Sequence, residues 1–216
     1  NSYSYFDAGG LVGKIENNSR FVNISDCVAN VNISVNPSSN TDTSIGGIIG
    51  SVLKPISLIR CYSGSNILGG GKHYRGYIVG YLADEGSLFA RNVFNKFGNA
   101  YVGYRNNGGY DVQNMGYYSN WLNQPYVYNL LERKNDTSGD IAGNLAGNQT
   151  WGFASDGTPK VSSTSYAVKI RKGTNIGTIT GQKLLVSNDV YANADDQLTI
   201  KPSVAISIHQ RVIYSF

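Results

Sequence analysis

The residues that could carry acid–base, nucleophilic or metal chemistry are few in this 216-residue chain. Its two histidines, His73 and His209, lie far apart, and neither cysteine has a histidine and an acid nearby in the sequence. A zinc site built from histidine and cysteine therefore has little support. Nothing marks the strand–turn–helix elbow that presents a nucleophilic serine. The sequence predicts no catalytic residue, no metal site and no cofactor.

Carboxylates and basic residues gathered on one face would indicate a polysaccharide lyase or hydrolase. In the repeats such residues do not recur at equivalent positions from copy to copy, which favours scattered, solvated charges. They are Asp7, Glu16, Asp26, Asp42, Asp84 and Glu85, with Arg60 and Arg91. A carbohydrate-active enzyme is therefore the alternative to a non-enzymatic protein, and a groove with clustered charges would distinguish it.

The best candidates for a binding surface are aromatic side chains between residues 101 and 128. Tyrosine and tryptophan faces stack on sugar rings, and the asparagine amides between them can bond sugar hydroxyls. The same rings could instead form a cap that packs on the last strands of the preceding residues. Both interpretations stay open, and the candidate ligand-binding residues are Tyr110, Tyr117, Tyr118, Trp121 and Tyr126.

A five-residue motif, written three times, sets the elements that position these side chains. It reads Gly, a small or aromatic residue, two branched apolar residues and Gly, at 9–13, 46–50 and 76–80. Glycine permits sharp corners and close backbone approach, and branched residues favour strands. Each copy predicts a short buried strand between corners. The glycines with this structural role are Gly9, Gly13, Gly46, Gly50, Gly76 and Gly80.

A second element follows each motif: Cys27-Val28-Ala29, Cys61-Tyr62-Ser63 and Asn92-Val93-Phe94. The first two copies align without gaps from Val22 on Ile56 to Ile33 on Ile67, an offset of 34 residues. Cys27 is therefore predicted to stack on Cys61 in the next repeat. The two are expected to be buried free thiols or, in an oxidising compartment, a disulfide. In the third copy, Asn92 occupies the cysteine position under this alignment.

The apolar positions change parity just before each cysteine. They are even-numbered through Ile24 and Leu58, and odd-numbered from Cys27 and from Ile59. Side chains alternate with a period of two along a strand, so the change indicates a bulge or a corner. We predict two strands per copy, meeting at Ser25-Asp26 and near Ile59-Arg60.

The Gly-Gly-Leu-Val-Gly element followed by Cys-Tyr-Ser resembles the GLUG repeats of bacterial surface proteins. Trp151-Gly152-Phe153 with Asp156-Gly157-Thr158-Pro159 resembles the ending that follows such arrays in gut Bacteroidetes. The resemblance covers about residues 8–161 and departs from the pattern at the third cysteine. A repeat of 30–37 residues is typical of solenoids. The expected fold is therefore all-β: a short parallel β-solenoid, or β-helix-like GLUG repeat unit, then a small β-rich C-terminal module.

Two domains are expected, one at 1–161 with an aromatic capping region from about 101 to 161, and one at 162–216. Charged residues make up 15% of the chain, and no basic cluster interleaved with aromatics indicates nucleic-acid binding. No apolar run is long enough for a membrane span.

The resemblance implies a non-enzymatic protein, secreted or on the cell surface of a bacterium. Adhesion or recognition is the expected function, with an extracellular glycan or a host or matrix protein as partner. A passive stalk or spacer, which would present no concave aromatic patch, is the second alternative.

Overall fold

Parallel β-sheets form the first of two compact units in the computed structural model, and antiparallel strands form the second. The structure describes residues 4–16, 21–36, 41–68, 74–118, 151–161, 167–170, 176–181, 185–186, 190–193 and 196–202. Within these ranges every helix or strand element is a β-strand. The prediction of an all-β protein is confirmed.

The strands of the first unit follow one another in four successive groups, which we call rungs. The first rung holds β1 (Ser4–Gly9), β2 (Val12–Ile15), β3 (Val22–Ala29) and β4 (Asn32–Ser34). The second holds β5 (Thr41–Gly46), β6 (Ile49–Val52), β7 (Ile56–Ser63) and β8 (Asn66–Leu68). The third holds β9 (Tyr74–Gly76), β10 (Val79–Leu82) and β11 (Ser87–Asn95), and the fourth holds β12 (Val102–Arg105) and β13 (Gly109–Tyr117).

Each sheet takes at most one strand from each rung, in rung order, and two of the four sheets extend over all four rungs. The sheets are β1-β5-β9, β2-β6-β10-β12, β3-β7-β11-β13 and β4-β8, and the pairing between rungs is parallel throughout. The register pairs Val22 with Ile56, Cys27 with Cys61 and Ile33 with Ile67. These are the pairs that the offset of 34 residues predicts, so that alignment is confirmed.

The core lies between the sheets and is made by the branched residues of the motif and by the inward positions of the long strands. Parallel sheets that are covered on both faces read as near-continuous apolar runs. This is the pattern of the second rung, where Ile48, Ile49, Ile56 and Leu58 are fully buried. The third rung continues the cluster with Ile78, Val79, Leu82, Leu88, Ala90 and Val93.

The parity change has a single backbone cause in every rung. One residue in each long strand adopts the left-handed conformation: Asp26 (φ 51°), Arg60 (φ 48°), Asn92 (φ 56°) and Asn114 (φ 53°). We call these four residues the left-handed column. The corner therefore lies where the sequence predicts it. The prediction of two separate strands is wrong, because pairing resumes at the next residue and β3 and β7 each run through the corner.

Side chains of the left-handed column bond to one another between rungs. The Arg60 guanidinium donates from Nε and Nη2 to the two carboxylate oxygens of Asp26, both at 2.8 Å. Asn114 donates from Nδ2 to Oδ1 of Asn92, also at 2.8 Å. Arg60 is only 4% exposed, so its charge is satisfied inside the protein. Asparagine and aspartate tolerate the left-handed region better than other side chains, and arginine is the exception in the column.

The left-handed column also corrects the alignment of the third copy. Val93 pairs with Cys61, and Asn92 lies level with Arg60 instead. The prediction that Asn92 replaces the cysteine is therefore wrong by one residue. The reason is that β11 keeps the corner at Asn92, which shifts the inward position to Val93.

The fourth rung begins in the stretch for which the sequence predicts an aromatic capping region. Val102 pairs with Val79, and β13 continues the third sheet along its whole length. Asn99-Ala100-Tyr101-Val102-Gly103 is therefore a fourth copy of the motif, with asparagine in place of its first glycine and tyrosine in place of its first branched residue. These two substitutions hide the copy from a search for the motif.

Gly46 lies where a neighbouring backbone leaves no room for a side chain. A β-carbon there would overlap the carbonyl oxygen of Ile49 and would lie 2.8 Å from the amide nitrogen of Gly80. Gly13 is less confined, since its β-carbon would meet only the Asp7 carbonyl oxygen at 3.0 Å. Glycine is required at position 46 by the close approach of backbone atoms, from its own corner and from the third rung, and not by an unusual φ.

The second unit contains a hairpin and two small antiparallel groups. The hairpin joins β14 (Trp151–Phe153) to β15 (Pro159–Val161), and its turn carries Gly157 at φ 80°. Asp156 accepts hydrogen bonds there from the amide and hydroxyl of Thr158, which stabilise the turn. The remaining strands are β16 (Ala167–Ile170), β17 (Ile176–Gly181), β18 (Leu185–Val186), β19 (Val190–Asn193) and β20 (Leu198–Pro202). They form the groups β16-β19-β18 and β17-β20.

Contacts group the hairpin at 151–161 with this second unit, whereas the sequence analysis placed it at the end of the first domain.

Candidate functional site

A groove of about 400 Å³ opens on the first unit, and we call it the tyrosine groove. It is lined by acidic, hydroxyl and aromatic side chains, together with one lysine and one leucine. The lining residues are Asp7, Lys14, Asp42, Ser44, Ser51, Leu53, Tyr74 and Tyr81. Concave surfaces of this size with a few polar groups and aromatic rings are typical of small-ligand sites.

Two columns of register-paired residues build the groove. In the first sheet, Asp7 pairs with Ser44, which pairs with Tyr74. In the second sheet, Lys14, Ser51, Tyr81 and Tyr104 occupy one register position in four successive rungs. In-register parallel strands place equivalent side chains on the same face, one rung apart. The sheet register therefore brings residues that are far apart in sequence to one wall.

Three rings, which we call the tyrosine cluster, stand at one end of the groove. Tyr74 stacks on Tyr104 with centroids 4.6 Å apart and on Tyr81 at 5.2 Å. Tyr81 and Tyr104 are nearly parallel, at 6.0 Å. Tyr74 and Tyr104 are 39% and 44% exposed, so the cluster offers solvent-facing aromatic surface to a ligand.

The carboxyl of Asp7 is held in an unusual environment at the other end. Partial burial raises its pKa above the ordinary 3.8, against the opposing effects of hydrogen bonds to Ser44 and Ser51 and of the Lys14 charge. Lys14 is itself bound to Glu16, with Nζ 2.6 Å from Oε2, and this hydrogen bond raises the pKa of Lys14. Lys14 therefore pairs with Glu16, while its charge still acts on Asp7.

Tyr81 links the groove to the loop that follows β10. Burial raises the pKa of its hydroxyl, a hydrogen bond with Asn106 lowers it, and the nearby Asp84 carboxylate raises it further. Asn106 also donates to Asp84, at 3.0 Å. The ring is therefore fixed at its polar end, and its face remains part of the groove wall.

Asp7→Asn is expected to stabilise the protein slightly at pH 7. Because the folded pKa of Asp7 is raised, its contribution to stability is greatest below 3.8 and is lost as the pH rises through the folded value. Removing the charge should therefore help at pH 7, and the gain should vanish below pH 3.8. Solvent screening of the half-buried group keeps the gain small. Urea unfolding at pH 3 and pH 7 measures it.

Asp111→Asn is the matched control, because Asp111 is an exposed carboxylate bound to Arg91 outside the groove. It should give no gain at pH 7. A loss of stability in Asp7→Asn at pH 7 would contradict the assignment of a desolvated carboxylate.

The five rings predicted from the sequence do not form one surface in the described residues. Tyr110 begins the exposed part of β13, beside the Arg105 guanidinium at 5.2 Å, and Tyr117 ends the same nine-residue strand. Tyr118 is half-buried against Phe94, with centroids 6.1 Å apart. The other two, Trp121 and Tyr126, lie outside the described residues.

The two cysteines are adjacent in register and both are free thiols. The hydrogen bond between them lowers the pKa of Cys27 to about 7 and raises that of Cys61, which is fully buried. They face the core and contribute nothing to the groove.

The groove residues Ser44, Ser51, Tyr74 and Tyr81 were not predicted from the sequence, nor was Tyr104 of the tyrosine cluster, and Asp7 and Asp42 were interpreted as scattered charges. One feature of the sequence could have identified the second-sheet column. The residue after the second motif glycine is Lys14, Ser51, Tyr81 or Tyr104. An alignment of all four copies would have shown this column.

Comparison with family models, curated proteins and solved structures finds no match to this chain. In the residues that the structure describes, no group of three or more histidine, cysteine or acidic side chains could hold a metal ion. No helix in that part of the chain has the length and apolarity to cross a membrane.

Proposed function

We propose that this chain is a non-enzymatic recognition module that binds glycan in the tyrosine groove. The observation that carries the proposal is the combination in one concave surface of a half-buried carboxylate, two hydroxyls and an exposed tyrosine cluster. Sugars present apolar ring faces and many hydroxyl groups. Tyrosine rings can stack on the ring faces. The sugar hydroxyls can hydrogen-bond to Asp7, Ser44 and Ser51.

The environment of Asp7 supports a binding role. A carboxylate that is partly desolvated without a dedicated cation opposes folding, and such groups are concentrated at functional sites. Hydroxyl donors from a ligand would supply hydrogen bonds to the ionised carboxylate, which are stronger than those between neutral groups. A glycan would thereby supply hydrogen bonds to a carboxylate that burial partly removes from water.

We also propose that the four rungs are coils of a short parallel β-solenoid of the GLUG-like type. The support is the constant rung order in four sheets and the left-handed residue at one position in each coil. Such proteins occur on bacterial surfaces, so we propose a secreted or cell-surface location. The low content of charged residues, 15%, and the Gly- and Tyr-rich composition agree with an extracellular protein.

Tyr74→Ala is expected to weaken glycan binding by at least about tenfold, or roughly 1.4 kcal/mol. The test is saturable binding of the purified chain to an immobilised panel of mucin glycans and plant polysaccharides. Tyr110→Ala is the control, because Tyr110 has nearly the same exposure, 37% against 39%, but lies outside the groove. Its affinity should match that of the unmodified chain.

Binding that is lost in Trp121→Ala and kept in Tyr74→Ala would move the site to the aromatic stretch. Binding to no member of the panel would overturn the proposal and favour a spacer or a protein ligand.

A carbohydrate-active enzyme is the second candidate, and one observation favours it. Asp7, with its raised pKa, shares the groove with Asp42, and glycosidases use two carboxyl groups with different proton affinities. Release of reducing ends from any glycan in the panel, abolished in Asp7→Asn, would establish this function. Binding without release would favour recognition alone.

A further inference from the structure

The charges of the tyrosine groove indicate which kind of glycan it would take. Asp7 and Asp42 line the groove, and the Asp84 carboxylate acts on Tyr81 from the adjoining loop. The one lysine in the lining, Lys14, is bound to Glu16. The described lining is therefore acidic, although the chain as a whole carries a net charge of +4.

The tyrosine cluster adds a second, independent preference. Aromatic faces attract cations through their negative quadrupole, and tyrosine is among the better rings for this. Here Tyr74, which belongs to the cluster, and Asp42 belong to the same groove. Carboxylates that share one groove with exposed ring faces suit a ligand with an alkylammonium group, which carboxylates can hydrogen-bond and π faces can attract. An anionic ligand would meet repulsion from both.

From this arrangement we infer that the tyrosine groove selects glycans that carry free amino groups, and that it rejects uronic-acid chains. The inference rests on the proposed glycan-binding function and names its ligand class. The ammonium of an amino sugar would lie between Asp7 or Asp42 and the tyrosine cluster. An N-acetylated sugar of the same length keeps the ring face and the hydroxyls but lacks the charge, so it would bind more weakly.

The test compares three probes by calorimetry with the full chain: glucosamine oligosaccharides, their N-acetylated counterparts of equal length, and oligogalacturonates. We expect the free amine to improve affinity at least about tenfold over the N-acetylated form, and the uronate to bind most weakly. Raising the ionic strength should shrink the amine preference, because charge attraction at a groove open to solvent is screened by salt.

Variants locate the effect in the groove. Asp42→Asn is suitable because Asp42 is exposed and its replacement should not disturb folding. It should reduce the preference for the amine over the N-acetylated probe to below about threefold. Asp111→Asn removes an exposed carboxylate elsewhere and should leave the preference as it is in the unmodified chain.

The outcomes separate the inference from the function on which it rests. Equal affinity for the amine and N-acetylated probes, or tightest binding of the uronate, would overturn the inference and leave glycan recognition standing. No binding of any of the three probes, together with no binding to the glycan panel, would overturn both. A preference that survives in Asp42→Asn and Asp7→Asn would place the amine outside the groove and contradict the inference.

Discussion

Gly46→Ala is expected to destabilise the first unit by at least about 3 kcal/mol, or to prevent its folding. The added β-carbon would overlap the carbonyl oxygen of Ile49 and press on the amide of Gly80, both of which are backbone atoms. A flexible side chain could move aside, but the first of these atoms belongs to the corner of the second rung itself and the other to the third rung. The corner between β5 and β6 would therefore have to open and the second rung to shift from the third, which would disturb the core at Ile48 and Ile49.

Gly13→Ala provides the matched control, because Gly13 belongs to the same motif and its β-carbon would meet only one backbone atom, at 3.0 Å. The loss there should be below about 1 kcal/mol, since a small shift relieves one such contact. Urea unfolding followed by circular dichroism measures both variants. Equal losses in the two would show that membership in the motif, and not the close approach of backbone atoms at Gly46, determines the loss of stability.

Asp26→Ala should cost about 3 kcal/mol, because it removes the carboxylate that accepts two N–H bonds from the Arg60 guanidinium. Truncating one partner of a buried charge pair typically costs about 3–5 kcal/mol, since the remaining charge is left in a poorly solvated place. We expect the lower end because the Asp26 side chain keeps 23% of its exposure. The same unfolding assay gives the value.

Paired substitution separates the charge from the backbone conformation. In Asp26→Asn with Arg60→Asn, the first two rungs would carry the asparagine pair that Asn92 and Asn114 form in the next two. Asparagine also tolerates the left-handed φ of Arg60 better than arginine does. We therefore expect the double variant to recover most of the stability that Asp26→Ala loses. A double variant as unstable as Asp26→Ala would mean that the ion pair itself is required at this corner.

The pairing of the rungs could be predicted from the sequence because parallel in-register strands preserve sequence order. Once Val22 was aligned with Ile56, the partners of Cys27 and Ile33 followed without further information. The corner could be located for the same reason, since an extra left-handed residue changes the parity of every later side chain. The sequence could not tell whether the corner lies within one strand or separates two, because a change of parity is equally consistent with the end of a strand.

The candidate site was harder to predict because its residues are joined by register and not by proximity in the chain. Tyr74 and Tyr81 flank the third motif copy, whereas the longer and denser aromatic run after residue 100 is the more obvious candidate for a binding surface. Tyr104 lies within that run, yet its partners are in the third rung. The acidic residues do not recur at equivalent positions in successive rungs, because each groove column changes residue type from rung to rung.

The column that runs from Lys14 through Ser51 and Tyr81 to Tyr104 places one groove side chain on each rung. Rungs are separated by about 4.8 Å, the spacing of neighbouring strands in a sheet. Gain or loss of one motif copy by recombination would thus lengthen or shorten the groove by one side chain without changing the fold. Divergence at a single position after the second glycine would alter its chemistry, so the size and the specificity of the groove can evolve separately.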